Sequence, residues 1–261
     1  LPPSLLLRCF INTAYTESQI KAFLSCSAFF HLNGSIHTYA SSQEVLYKTL
    51  KDFYLKILKG EISNFDKNLT AIIKQNILLY YPNINSSDDI QYLINWTLSA
   101  VNDFFQIFPI SKYTPLVTSH RPIVKYNSLS IKLDFDLLLV QNNQLAFIHA
   151  VSFYPKLDSH NSTSDFFNII KLNFLNNVYA KRKYSQAPVR LHNISIKPAS
   201  FRNKNTKNYP YTKYTIEKVS EKDKHQAKIA LNYFIKNKDL KIIKPFCNIY
   251  DCSKRKECKN A

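Results

Sequence analysis

The first hundred residues carry apolar side chains at helical spacing. Thr16-Glu17-Ser18-Gln19 offers a capping box, in which the Thr hydroxyl and the Gln amide each satisfy the other's backbone donor. Behind it Ile20, Phe23, Leu24 and further apolar positions to Phe30 predict a helix. A second helix is predicted near 42–58, with Leu46, Leu50, Phe53 and Ile57 on one face. A third covers 67–80 through Leu69, Ile72, Ile73 and Ile77. The stretch from Pro82 to Ser87 breaks the pattern with Asn and Ser, and a fourth helix is predicted over 88–107.

From residue 121 the period shortens to two. Three β-like runs follow, Pro122–Tyr126, Ser130–Val140 and Gln144–Phe153, the last two joined as a hairpin by Asn142-Asn143. Asn tolerates the left-handed backbone such a turn needs. Residues 164–180 return to helical spacing through Phe167, Ile170, Phe174 and Val178. Val189–Pro198 and Tyr211–Val219 read as strands, and 221–236 as a final helix. There is no internal repeat and no low-complexity linker. The order predicts one α/β domain over 1–261, with 42–110 as a helical insertion and 240–261 as a separate C-terminal segment.

Composition adds a partner class. Lys and Arg outnumber Asp and Glu by 35 to 18, a formal charge of +17. A charge of that size concentrates polyanions at the surface, so nucleic acid or an anionic surface is the expected partner. With 45% hydrophobic residues the chain has the means to build a core and is not a disordered polycation. No apolar run reaches the roughly 18 residues that span a bilayer, and Leu5-Leu6-Leu7 is too short for a signal h-region. The expected setting is intracellular. The chain has no Met, two Gly and one Trp, all encoded by codons that contain G. This points to a G-poor, AT-rich coding strand of a plastid or a reduced genome, and so to a bacterial cytoplasm or a plastid.

Cysteine chemistry sharpens this. Cys247, Cys252 and Cys258 form a C-x4-C-x5-C cluster. Three thiolates that close suit a soft metal centre, which wants a fourth ligand. Cys26 is the first choice and Cys9 the reserve, with iron–sulfur and zinc both open. Basic and aromatic residues interleave in Lys181-Arg182-Lys183-Tyr184, Arg190, Phe201-Arg202 and Lys204. Cations of this kind contact phosphates, and the rings between them can stack on unpaired bases.

The stretch from Thr16 through Cys26 to Phe30, taken with the three C-terminal Cys, resembles the PD-(D/E)XK nuclease superfamily. The branch is the RecB-type one with an iron–sulfur staple, which includes AddB-like and CRISPR-associated exonuclease-like proteins. Its pattern is Ser-x-x-Ile/Leu-x-x-Phe-x-x-Cys-Pro-x-x-Phe near the start and three more Cys at the far end. Ser27 stands where that branch has Pro, and the x4 gap is longer than its usual x2. The resemblance implies a restriction-endonuclease-like core, a mixed central sheet flanked by helices, with a helical N-terminal portion. It also implies one 4Fe–4S cluster held by Cys26, Cys247, Cys252 and Cys258.

The same resemblance implies carboxylates on a β-hairpin that hold Mg²⁺ or Mn²⁺, with a Lys to position the attacking water. A Gly-x-x-His stretch precedes that core in the branch, and Gly34-Ser35-Ile36-His37 matches it. Asp136 fits the first hairpin carboxylate, with Asp134 as the alternative register. Aligned by hydrophobic pattern, His149 falls at the second carboxylate position and Val151 at the lysine position. His is a poor ligand for a hard cation and Val cannot orient water. Lys156 or Lys132 could substitute for the missing lysine. Where the branch has a Gln-x-x-x-Tyr helix motif, 168–179 offers Lys171 and Tyr179. The expectation is therefore a nuclease-like protein that no longer cuts but binds nucleic acid, DNA in the first place, as a scaffold or subunit of a larger complex. A divergent metal-dependent nuclease and a protein-interaction subunit are the alternatives.

Overall fold

A computed structural model describes residues 14–25, 39–117, 121–141, 148–154, 162–180, 188–202, 204, 211–216, 218 and 220–240. A short strand, β1 (Tyr15–Thr16), leads into α1 (Glu17–Ser25). The capping box closes as the sequence predicts. The Gln19 N–H donates to Thr16 Oγ1 at 3.2 Å, and the Thr16 N–H donates to Gln19 Oε1 at 2.9 Å.

Three long helices follow: α2 (Ser41–Leu58), α3 (Phe65–Tyr80) and α4 (Ser87–Ile107). Asn64 and Ser86 cap α3 and α4 by accepting from the Lys67 and Asp89 N–H groups. Helix α2 ends in a Schellman turn. The Gly60 N–H donates to Ile57 O, the Glu61 N–H donates to Lys56 O, and Gly60 takes φ +67°.

The strands are β2 (Tyr113–Val117), β3 (Ile123–Tyr126), β4 (Leu129–Lys132), β5 (Leu137–Gln141) and β6 (Ile148–Phe153). Then come α5 (Ser162–Phe174) with a π-helical extension (Leu175–Ala180), β7 (Val189–Ile196), β8 (Tyr211–Ile216) and α6 (Glu221–Asn237). Among the described residues five strands form the main sheet in the order β2-β5-β6-β7-β8, and β1-β4-β3 form a small second sheet. Strands β5 and β6 are antiparallel. Strand β7 lies parallel to β6 after the α5 crossover. The chain is thus α/β, with mixed sheets flanked by helices.

Both faces of the main sheet are covered. Helices α2–α4, the stretch 42–110, pack Leu50, Phe53, Tyr54, Trp96 and Phe104 against Leu137, Leu139, Val151 and Phe153. On the other face α1, α5 and α6 pack Ile20, Phe23, Phe167, Leu231 and Phe234 against Leu138, Ile148, Ala150 and Leu191. Burial on both faces explains why β6 is buried along its whole length. Among the described residues no helix is long and apolar enough to cross a membrane.

Two elements depart from the periodicity. The run Ser130–Val140 is two strands in two different sheets, broken at 133–136. Leu133 and Phe135 stay buried through the break, so the alternation continues while the backbone changes partner. Strand β2 carries Pro115 and a register shift between Pro115 and Val117. It is tolerated because β2 lies at the sheet edge. The Asn142-Asn143 turn lies outside the described residues.

Candidate functional site

The break between β4 and β5 places two carboxylates at the mouth of the hairpin. Asp136 is fixed there by backbone on three counts: its N–H donates to Val151 O at 2.9 Å, its Oδ2 accepts the Phe153 N–H at 2.7 Å, and β5 begins at the next residue. Its other oxygen pairs with Lys51 of α2. Helix α2 is itself locked to the sheet. Gln43 Nε2 donates to Ile196 O at 2.7 Å, Tyr47 Oη accepts the Ile196 N–H at 3.1 Å, and the Tyr47 ring stacks on Phe153 at 4.3 Å. Asp134 pairs with Arg121 Nε at 3.1 Å. Burial raises the Asp134 carboxyl above its ordinary value, although Arg121 pulls the other way.

Behind these two lies a fully buried network. Lys171 of α5 is 1% exposed and Glu17 of α1 is 4% exposed. Lys171 Nζ donates to Glu17 Oε2 at 2.8 Å, to Ser152 Oγ at 3.3 Å and to Tyr154 Oη at 3.3 Å. Glu17 Oε1 accepts from Lys21 Nζ at 2.7 Å and from the Tyr154 hydroxyl at 3.1 Å. Burial alone would raise the Glu17 carboxyl, but Lys171 and Lys21 outweigh it and hold the group well below the carboxylate range. Burial would lower the Lys171 ammonium, yet Glu17 and Tyr154 outweigh that and raise it. Both groups are charged at neutral pH.

Together these side chains line a cavity of about 330 Å³. Its wall holds the carboxylates of Glu17, Glu44, Asp134 and Asp136, and the cations Lys48, Lys51, Arg121 and Lys171. Charge is balanced inside the cavity, in a chain that is strongly positive as a whole. Among the described residues no group of three or more His, Cys, Asp or Glu side chains could hold a metal ion. A hard divalent cation such as Mg²⁺ needs one or two ionised carboxylates free to bind it, with waters completing its shell. Asp136, Asp134 and Glu17 are paired with Lys51, Arg121 and Lys171 respectively. Here the Lys171 ammonium occupies the centre of the buried oxygens, with Glu17, Ser152 and Tyr154 as its shell.

Of the predicted site residues, Asp136 lines this cavity and His149 does not. The β5–β6 register brings Val151 to Phe153 opposite Asp136, so Ser152 and Tyr154 share the cavity where His149 and Val151 are expected from the hydrophobic pattern. His149 sits further along β6, opposite Leu139, in the core. Its Nδ1 lies 2.8 Å from His192 Nε2, the two rings stack at 5.1 Å, and Phe108 and Tyr113 pack edge-on against it. Lys132, one of the two candidates to replace the missing lysine, is half-buried on β4 and is not among the lining residues. Arg190 is half-buried on β7, Arg202 is exposed, and Lys204 Nζ pairs with Asp89 at 2.6 Å. His37, Lys156, Lys181, Arg182, Lys183, Cys26, Cys247, Cys252 and Cys258 lie outside the described residues.

Glu17, Lys51 and Tyr154 were not singled out by the sequence. Glu17 reads there as a spacer inside the capping box. Lys171 left the clearest trace, since it falls between Ile170 and Phe174 on the apolar stripe of its helix. A lysine on such a stripe needs a buried acid.

No family model matches the chain, and no curated protein matches it. Among solved structures, the crystal structure of SSO0001 aligns over 86% of this chain and 88% of that one, at 9% identity and a TM-score of 0.27. A likeness that distant says nothing about what the cavity does.

Proposed function

We propose that this chain is a catalytically silent, nuclease-like protein that binds nucleic acid as a scaffold or subunit of a larger assembly. The observation that carries the proposal is the lysine-filled cavity. A carboxylate on the first helix and a carboxylate at the mouth of an antiparallel hairpin meet in one cleft. The hairpin is followed by a crossover helix and a parallel strand. Of this setting, the PD-(D/E)XK resemblance implies the hairpin carboxylate of a metal-dependent phosphodiesterase, the position that Asp136 takes in this reading. In this chain Glu17 is neutralised by Lys171 and Lys21, Asp134 by Arg121, and Asp136 by Lys51. Internal ammonium and guanidinium groups take the role a metal would have in charge balance. They supply no Lewis acid and no metal-bound hydroxide.

The net charge of +17 supplies affinity for a polyanion without any cutting chemistry. The expected staple is a 4Fe–4S cluster on Cys26, Cys247, Cys252 and Cys258, with zinc as the alternative. Its support is that α1, which ends one residue before Cys26, packs on α6, the last helix among the described residues. Phe23 meets Phe234 at 5.1 Å and Tyr233 at 6.0 Å. The chain segments leading to the two cysteine groups therefore start from neighbouring helices.

Three measurements test the proposal. Fluorescence anisotropy with labelled DNA should give an affinity that falls steeply with salt, by about 10³-fold or more between 50 and 200 mM if six or more phosphates are contacted. Incubation of the same DNA with Mg²⁺ or Mn²⁺ should leave it intact. Mn²⁺-dependent degradation that disappears in Asp136→Ala would overturn the silent-site reading, and an absence of DNA and RNA binding at low salt would overturn the binding reading. Anaerobically purified protein with visible absorbance and about four irons per chain would support the cluster. Stoichiometric zinc would keep a staple of a different lineage.

A further inference from the structure

We infer that a second cavity, on the far side of Tyr80, is a subsite for an unpaired base of single-stranded nucleic acid; this inference rests on the binding function proposed above. The cavity has a volume of about 390 Å³ and is lined by Tyr80, Tyr81, Pro82, Ile84 and Phe201 among others. Tyr80 also lines the lysine-filled cavity. The two recesses are therefore adjacent, separated by the C-terminal end of α3.

The walls suit a planar aromatic ligand. Phe201 is 38% exposed, although its chemistry favours burial. It is held edge-on by Tyr81, with ring centres at 6.1 Å and 79°, and tilted against Tyr92 at 5.7 Å and 60°. Its loop is anchored. The Ala199 N–H donates to Ser42 Oγ at 3.0 Å, and the Ser200 N–H donates to Tyr92 Oη at 3.2 Å. The ring is thus presented on a fixed backbone rather than on a loose tip, which lowers the ordering cost of stacking a ligand on it.

The electrostatics select the ligand class. Asp89, the acid in the lining, is neutralised by Lys204. Lys197 and Arg202, on either side of Phe201 in the same loop, are both exposed. An exposed aromatic face flanked by exposed cations matches the alternation of base and phosphate along a single strand. A duplex keeps its bases stacked internally and cannot offer one to Phe201 without unpairing. The subsite therefore adds preference for single strands to an affinity that charge alone would give to any polyanion.

The test is anisotropy of the full chain with a labelled oligothymidylate, an oligouridylate and a blunt duplex of equal length, for the natural protein, Phe201→Ala and Phe201→Trp. Phe201→Ala should weaken single-strand binding by about 5- to 150-fold and leave duplex binding and the salt slope unchanged. Phe201→Trp should retain single-strand affinity and show fluorescence quenching on binding. Loss with oligothymidylate alone or oligouridylate alone assigns the subsite to DNA or to RNA. If Phe201→Ala weakens single strands and duplex equally, or neither, the stacking subsite is refuted while nucleic-acid binding stands. If the natural protein binds none of the three, the binding function falls and the subsite with it.

Discussion

Replacing Lys171 by Met tests the central physical claim, that a buried Glu17–Lys171 ion pair holds the wall of this cavity together. The substitution keeps an unbranched side chain of similar length and removes the charge. Glu17 then stays buried with only Lys21 at 2.7 Å and the Tyr154 hydroxyl at 3.1 Å. Removing one partner of a buried pair costs about 3–5 kcal/mol, most of it from the charge left behind. Because Lys21 remains, the expected loss is at the low end, about 3 kcal/mol. Glu17→Gln should cost a similar amount, since Lys171 would lose its counter-charge and keep only neutral acceptors, the new amide oxygen and the Ser152 and Tyr154 hydroxyls. The double variant removes both charges of the pair and leaves only Lys21 without its carboxylate, so it should be destabilised by less than the sum, with a coupling of about 2 kcal/mol or more. Urea midpoints at constant m-value measure all three. Additivity within about 0.5 kcal/mol would refute the coupled pair.

The same network sets a pH dependence. Glu17 is held below its ordinary 4.5, so its contribution is complete above that value and is lost as pH falls toward the folded-state value. The natural protein should therefore lose stability below about pH 4.5 more steeply than Glu17→Gln does. A parallel acid limb in the two proteins would show that other groups carry it. His149→Leu should perturb folding and not binding. It breaks the stack with His192 and its hydrogen bond, at a cost of about 1–3 kcal/mol, while DNA affinity at fixed salt stays within a factor of two or so. A selective loss of affinity without loss of stability would return His149 to the site. Asp136→Ala removes the acceptor of the Phe153 N–H and the partner of Lys51, for an expected loss of about 1–3 kcal/mol, and Asp136→Asn should recover part of it. Equal losses would mean that the amide acceptor is not used. Gly60→Ala meets no neighbouring atom within 4 Å, so its cost, about 1 kcal/mol, is the strain of a left-handed backbone alone.

Local pattern was sufficient for the helices. The capping box at Thr16, the apolar stripes of α2 to α4 and the final helix follow from side-chain spacing and from caps that act within four residues. The β5–β6 pair was legible as two β-like runs, although burial of both sheet faces blurs the period of two into a continuous apolar run. Asp136 was picked out by the family resemblance and not by periodicity. What failed was everything that depends on which strand pairs with which. Hydrophobic alternation is unchanged when the chain leaves one sheet for another, so the break at 133–136 was invisible, and with it the register that sets Ser152 and Tyr154 beside Asp136 instead of His149 and Val151. The cavity's charge balance was equally hidden. Glu17, Lys51 and Lys171 lie on three different helices and Asp136 in the break before β5, and only the packing of α1, α2 and α5 around one end of the sheet brings them within reach of each other. A residue's type and spacing determine what it could do; the desolvation and the partner that decide what it does arise only when distant segments are folded against it.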